Sequence, residues 1–215
     1  MIEDKIISLP WLKRAFDLLI TGCFLIMAAP LFLIIFVSAK IEGLLDPDSG
    51  SRFFYREIRI SQGQPFYFYK IRIFKPAVLI RTLSQEGFVH TKPLEQNLAN
   101  LTRVGRVVKK FYLDELPQLF CILKGEMSLV GPRPWNPVDY QAEIQRGVYR
   151  KKVIKAGLTG LVQIAKSKNG NHQPGLDLDE QYIDLVKTLS PFKLLLLDVW
   201  ILCQSFKLIL KGEGL

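Results

Sequence analysis

The sequence predicts an α/β fold: a compact mixed domain of helices and a short β-hairpin, with an N-terminal re-entrant membrane helix and interfacial amphipathic helices. Three observations predict it. Leu18 to Ala39 is a run of 22 residues without a charge, with Pro30 inside it. Arg52–Ile60 and Phe66–Phe74 are rich in aromatic and β-branched residues, and Ser61-Gln62-Gly63-Gln64-Pro65 separates them, a hairpin signature. Pro191 to Lys211 is apolar but for Lys193, Asp198 and Lys207. Asp198 in mid-run argues against a second span and for burial or interfacial packing.

The first run is long enough to cross a hydrocarbon core, since 22 helical residues extend about 33 Å. Pro30 removes a backbone hydrogen bond and crowds the preceding turn, which predicts a break into legs Leu18–Ala29 and Leu31–Ala39. Neither leg spans alone. Lys5, Lys13 and Arg14 precede the run and Lys40, Arg52, Arg56 and Arg59 follow it. Positive residues favour the cytoplasmic side, so a helix that enters and leaves by one leaflet satisfies both flanks. A bitopic anchor with a proline kink is the simpler alternative. The stretch is long for a cleaved signal peptide and lacks a small-residue cleavage site.

Downstream, residues 43–51 form a turn-rich loop. Period two in the hairpin puts Lys70 and Arg72 on one face. Residues 77–101 read weakly, as a short helix on the membrane surface. Arg103–Lys110 carries four positive charges and no acid. Leu116–Lys124 reads as a short helix with Pro117 in its first turn and Gly125 just past its end. Gly131-Pro132-Arg133-Pro134 is a rigid extended loop. Gln145–Lys155 holds Arg146, Arg150, Lys151, Lys152 and Lys155 with no acid, Asp177 with Glu180 resembles a capping box for a helix to Thr188, and Ser190 caps the last helix.

The 215 residues, 49% hydrophobic and 23% charged, exclude disordered and low-complexity classes. The net charge of +9 suits an anionic partner: nucleic acid, an anionic membrane surface or a phosphorylated substrate. Cys23, Cys121 and Cys203 lie in apolar runs without paired spacing, which fits a reducing compartment. With only His90 and His172 besides, no His/Cys zinc cluster can be assembled.

The chemistry-bearing text is Leu113-Asp114-Glu115-Leu116-Pro117-Gln118. Adjacent carboxylates repel unless cations neutralise them, and Lys109, Lys110 and Arg133 are candidates. Two carboxylates among cations suit a magnesium–phosphate site, with one carboxylate free to attack phosphorus. The alternative is that Asp114 only caps the helix. Arg133 is fenced by prolines, which lower the entropy lost on holding an anion; a surface turn is its plain alternative. Lys70 and Arg72 point to the same anion or to a solvated hairpin face. Arg150 and the lysines after it suit a solvated or membrane-facing basic face. Asp46-Pro47-Asp48 and Asp177-Leu178-Asp179 match the Asp-x-Asp metal pattern of nucleotide-sugar glycosyltransferases only literally: one sits in a turn, the other in a helix cap. No P-loop, GxGxxG, GxSxG or HExxH is present.

Several segments, in order, carry a family resemblance. They are Lys13-Arg14-Ala15-Phe16-Asp17 before the proline-centred run, Phe54-Tyr55-Arg56-Glu57-Ile58-Arg59, Gly63-Gln64-Pro65-Phe66 and Tyr69-Lys70-Ile71-Arg72. Then follow Thr102-Arg103-Val104-Gly105-Arg106, Leu113–Leu119, Leu123–Pro134 and Ala156–Gln163. Together they resemble the bacterial sugar transferase family, the monotopic phosphoglycosyl transferases that start glycan assembly on polyprenol phosphate. The likeness covers residues 11–211 and is most specific from Leu113 to Pro134.

The resemblance implies an enzyme that moves a sugar phosphate from a UDP-sugar to polyprenol (undecaprenyl) phosphate. Asp114 would be the nucleophile, forming a sugar-phosphoryl aspartate and releasing UMP. Glu115 would be the magnesium ligand and Arg133 would hold a phosphate; Lys70, Arg72, Lys109 and Arg150 are the further phosphate-binding candidates, from their charge and position in the sequence. It implies a re-entrant element over residues 1–42 and a catalytic domain over residues 43–215 on the cytoplasmic face of a bacterial inner membrane, with both termini cytoplasmic. Membrane lipid is an expected partner and nucleic acid is not; homo-oligomerisation is open. Ala29-Pro30 stands where the family has Ser-Pro, Lys109 where it has Arg, and Tyr112 where Ser or Thr is common. Lys70–Phe74 departs from Lys-Phe-Arg-Ser-Met, and Ala156 replaces Pro. No Asn-Gly-Arg follows Gln163, although Lys166 and Lys168 are near. Sugar choice and nucleotide contacts are thereby left open. Two other readings are an Asp-x-Asp glycosyltransferase releasing UDP and a basic membrane-bound scaffold without activity.

Overall fold

The computed structural model describes residues 5–86, 91–166 and 175–211. His90, His172 and Lys168 lie outside them. The architecture is helix-rich, with one short β-hairpin and one long apolar N-terminal helix. By contacts the chain divides into two units, one of Met1–Leu25, Arg56–Phe68 and Gln118–Leu215, the other of Ile26–Tyr55 and Tyr69–Pro117.

Helix α1, Trp11–Leu45, continues through Pro30, so the expected break is absent. The missing proline N–H costs one ladder bond, and the helical residues on either side carry the helix across it. Its 35 residues extend about 52 Å. It is long and apolar enough to cross a membrane, and only 11% of its most apolar window is buried. Leu19, Ile26, Met27, Leu33 and Ile34 are exposed. Such a stripe is the mark of a membrane-associated protein.

In the first unit, Lys13 and Arg14 are not a free juxtamembrane charge pair. Lys13 is buried against Asp198, and Arg14 donates to the carbonyls of Ile122 and Leu123. Asp17 accepts from Ser128 Oγ at 2.7 Å and from the Leu129 amide. These bonds fix the start of α1 to the strand β3, Ser128–Val130. Parallel to β3 runs β4, Gly157–Thr159, with Ser128 opposite Gly157 and Val130 opposite Thr159. Three-residue strands carry too little pattern to be read from sequence. Gly157 is required here: a Cβ on it would lie 2.1 Å from the Gly131 nitrogen.

The unit's helices are α5 (Gln118–Lys124), α6 (Pro137–Gln145), α7 (Arg150–Val153), α8 (Leu161–Lys166), α9 (Gly175–Thr188) and α10 (Pro191–Leu210). Gly125, at φ 82°, ends α5 as expected. Helix α9 begins before Asp177, which therefore sits inside the first turn and is no cap. Ser190 holds the N-cap position of α10 without a side-chain bond. Helix α10 buries Leu194, Asp198, Ile201, Ser205 and Leu208 and exposes Phe192, Leu196, Trp200, Phe206 and Leu210.

The hairpin strands are β1, Phe54–Ser61, and β2, Gln64–Ile71. The turn is tighter than the sequence suggested. Gln62 and Gly63 both have positive φ, the two-residue geometry that matches strand twist.

The second unit packs Ile35, Phe53, Ile71, Ile73, Phe74, Leu101 and Val108 as its core. Phe53 meets Phe32 and Phe36 edge-on at 5.4 and 5.0 Å. Burying each such side chain is worth about 1.5–3 kcal/mol. Helix α2 (Pro76–Glu86) and α3 (Thr91–Glu95) occupy the stretch that read weakly. Helix α4, Arg103–Lys110, is capped twice: Thr102 accepts from the Gly105 amide, and Glu42 from the amides of Arg103 and Val104 at 2.6 and 2.9 Å.

Candidate active site

The acidic pair sits on a single 3-10 turn, Leu113–Glu115, that follows α4. Tyr112 joins them at φ 55° and ψ 26°, a left-handed conformation that costs a bulky residue about 1 kcal/mol or more. Asp114 lies within the turn, ahead of α5, and does not cap that helix. The capping alternative therefore fails.

Asp114 is 3% exposed, and its Oδ1 is buried without a hydrogen-bond partner. Leaving a buried acceptor unmatched costs about 1–3 kcal/mol, so this oxygen is held at a cost to stability. Burial, and next the charge of Glu115, push the Asp114 carboxyl up to about 6; Lys70 and Lys109 pull it down and Glu95 adds to the push. Lys70 Nζ is 3.8 Å from Glu115 Oε1. Lys109 Nζ is 2.5 Å from Glu95 Oε2 and 5.4 Å from the centre of the Tyr112 ring. Burial alone would lower the Lys109 ammonium, but the Glu95 hydrogen bond and charge, with Asp114 and Glu115, raise it overall. The second unit thus brings together Asp114, Glu115, Lys70 and Lys109. Sequence reasoning missed Glu95, which lies in the stretch that read weakly.

Arg72 belongs to the same unit but not to this cluster of charges. Its guanidinium donates to the carbonyls of Arg52 (2.7 Å), Ser49 (2.6 Å), Gly50 (3.1 Å) and Phe74. It ties loop 49–53 to the end of β2, so its first role is structural.

Arg133 and Arg150 belong to the first unit. Arg133 is half-buried between the buried Pro132 and Pro134. Arg150 departs from the solvated basic face expected of its segment. It and Lys151 are buried, at 6% and 5% exposure. Arg150 pairs with Glu143 and with Asp179 (3.0 Å), Lys151 pairs with Asp179 at 2.7 Å, and both cations lie over the Trp135 ring. Carboxylates at suitable distance repay the desolvation of buried cations, and sequence alone does not show which acids arrive. The same pairing occupies Asp179 of the second Asp-x-Asp match. Asp46 of the first accepts from the Asp48 amide and Ser49 Oγ as a turn cap.

Among the described residues no group of three or more His, Cys, Asp or Glu could hold a metal by itself. Magnesium often takes only one or two carboxylates and completes its shell with water and substrate phosphate. The unmatched Asp114 Oδ1 and the part-exposed Glu115 beside it fit that pattern.

The bacterial sugar transferase family matches residues 9–212. An uncharacterised sugar transferase of Bacillus subtilis, EpsL, is 33% identical over 205 residues, covering 95% of this chain and 90% of that protein. The exopolysaccharide production protein ExoY of Rhizobium meliloti is 35% identical over 180 residues, covering 80% and 76%. An Aeromonas hydrophila UDP-N-acetylgalactosamine-undecaprenyl-phosphate N-acetylgalactosaminephosphotransferase is 30% identical over 214 residues; the match takes in 95% of this chain and 45% of that longer enzyme. A match over nearly the whole length, around a carboxylate pair set among lysines, has one consequence: this chain belongs to the bacterial sugar transferase family and is a transferase.

Proposed function

We propose that the chain moves a sugar phosphate from a UDP-sugar to undecaprenyl phosphate at the cytoplasmic face of the bacterial inner membrane, opening the assembly of an exopolysaccharide or related glycan. The observation that carries this reading is the enclosed, unmatched oxygen of Asp114 beside Glu115, Lys70 and Lys109.

In the first step that oxygen attacks the β-phosphorus of the donor. The bond from this phosphorus to the bridging oxygen breaks, and UMP leaves with the electron pair. The product is a sugar-phosphoryl aspartate. In the second step an oxygen of undecaprenyl phosphate attacks the same phosphorus and the Asp114 carboxylate is released. A carboxyl titrating near 6 is ionised at neutral pH, yet more basic than an ordinary aspartate, which favours attack. Lys70 and Lys109 lower the energy of charge building on the transferred phosphoryl group. Glu115 would hold the magnesium ion, whose positive charge would neutralise the donor diphosphate. Because Asp114 is enclosed, donor entry has to displace neighbouring side chains to reach it.

Although α1 runs unbroken through Pro30, we propose that in the bilayer it bends there, where one ladder bond is already missing, and returns to the leaflet it entered, with α10 lying at the interface through its exposed apolar residues. The experiment is UMP release across a panel of UDP-sugars with undecaprenyl phosphate and magnesium. Wild-type protein is expected to release UMP and Asp114→Asn none. Release of UDP, or normal UMP release by Asp114→Asn, would overturn the reading.

A further inference from the structure

Glu95, the last residue of α3, acts electrostatically on Asp114 together with Glu115, Lys70 and Lys109, all within the second unit. A further carboxylate is unfavourable where a diphosphate has to enter, because like charges repel. Glu95 does not complete a metal cage with Asp114 and Glu115: among the described residues no group of three or more such ligands could hold an ion. Nor does stability account for it. The Glu95 and Lys109 side chains are 15% and 30% exposed, and an ion pair open to water adds little. What the pair does is fix where the lysine lies.

The carboxylate is carried on a rigid support. Leu94 beside it packs against the core of the second unit, and Asn100 Nδ2 donates to Leu94 O at 3.0 Å. Asn97 caps the turn that follows by accepting from the Ala99 amide, and Arg106 Nε reaches back from α4 to Leu98 O at 3.2 Å. Glu95 is thereby held against α4, the helix that carries Lys109. The lysine ammonium, by contrast, rides on a flexible four-carbon stem. It closes on Glu95 Oε2 at 2.5 Å, and Asp114 Oδ1 has no hydrogen-bond partner. Against burial, which pushes the Lys109 ammonium down, Glu95 pushes it up more than Asp114 or Glu115 does. An ammonium has three donor hydrogens, so the tether to Glu95 leaves capacity for an anion.

We propose that Glu95 is a positioning residue that tethers Lys109 beside Asp114 but off its Oδ1, so that the attacking oxygen stays uncovered and the ammonium is held ready for the transferred phosphoryl group. This rests on the transferase reading above, in which Asp114 attacks and Lys109 takes up charge. Released from its tether, the ammonium would close on Asp114 in a charge-assisted hydrogen bond and mask the nucleophile. The loss then falls on the step of attack and not on donor binding.

The test measures UMP release by the full chain in lipid nanodiscs, with undecaprenyl phosphate, magnesium and a UDP-sugar that the wild type turns over. Glu95→Gln keeps the length and an acceptor and removes the charge. Its kcat is expected to fall about tenfold or more, with KM for the UDP-sugar within about threefold of wild type. In a Lys109→Met background the same change is expected to cost about twofold at most, because no ammonium is left to hold. A role for Glu95 in the fold alone predicts the same loss in both backgrounds, so equal losses overturn the proposal. An unchanged or raised kcat in Glu95→Gln overturns it as well. Should Glu95→Gln fail to fold, Glu95→Asp, which keeps the charge and draws it back by one methylene, is read by the same kcat in the same two backgrounds. Wild-type protein that releases UMP from no UDP-sugar removes the transferase reading and this proposal together; wild-type turnover with an indifferent Glu95→Gln removes this proposal alone.

Discussion

Lys13 Nζ and Asp198 Oδ2 lie 2.6 Å apart with both side chains wholly buried, joining the first turn of α1 to the middle of α10 across 185 positions of sequence. Asp198 also accepts from the Tyr182 hydroxyl at 2.9 Å, and Lys13 donates to Val130 O. This pairing answers why an acid interrupts an otherwise apolar helix.

Breaking the pair from one side leaves a buried charge uncompensated. Lys13→Met is expected to destabilise the chain by about 3–5 kcal/mol. Lys13→Met combined with Asp198→Leu is expected to recover most of that loss. Thermal melts in detergent micelles measure both, and equal losses in the single and double variants would contradict the coupling.

Asp114 is held against its own ionisation. Its folded pKa, about 6, exceeds the ordinary value of 3.8, so the neutral form is favoured by folding. The chain therefore has its full stability from this group below about pH 4 and loses it as pH rises through 6. Asp114→Asn should match wild type near pH 4 and exceed it at pH 8, by on the order of 3 kcal/mol. Melting curves across pH in EDTA test this, and a gain that does not grow with pH would contradict it. The same variant is expected to have no turnover, the usual opposition of stability and function at a site.

Lys109 lowers the Asp114 pKa and engages Glu95. Lys109→Met should move the acid limb of the pH–rate profile upward, because Asp114 then ionises at higher pH. Lys109→Arg keeps the charge and should hold the limb near its wild-type position. A limb unmoved in Lys109→Met would detach it from the Asp114 titration.

The topology inferred for α1 places both of its ends on one side. Single cysteines introduced near residues 9 and 46, in a background lacking Cys23, Cys121 and Cys203, should react with an impermeant maleimide only after the cytoplasmic face is opened. Labelling of either position from the periplasm would restore a spanning anchor.

Much of the site was legible because it is local. Asp114, Glu115 and Lys109 fall within seven residues, and cations close in sequence to carboxylates remain close in any fold. The hairpin, the apolar helices and Gly125 as a helix end were legible for the same reason. Glu95 and the strands β3 and β4 were not: a carboxylate delivered from another helix, or a three-residue ladder formed with a distant segment, leaves no periodic trace.

Composition, spacing and turn chemistry act over short range, and they suffice for the long apolar helix, the hairpin and the acidic pair among lysines. Long-range packing separated the charges that hold the fold from those left beside Asp114. Arg72 is taken up by backbone carbonyls, Arg150 and Lys151 by Glu143 and Asp179, and Lys13 by Asp198, while one oxygen of Asp114 is left unmatched. The reason is physical: the use a charge is put to depends on what long-range packing brings within about 3 Å of it.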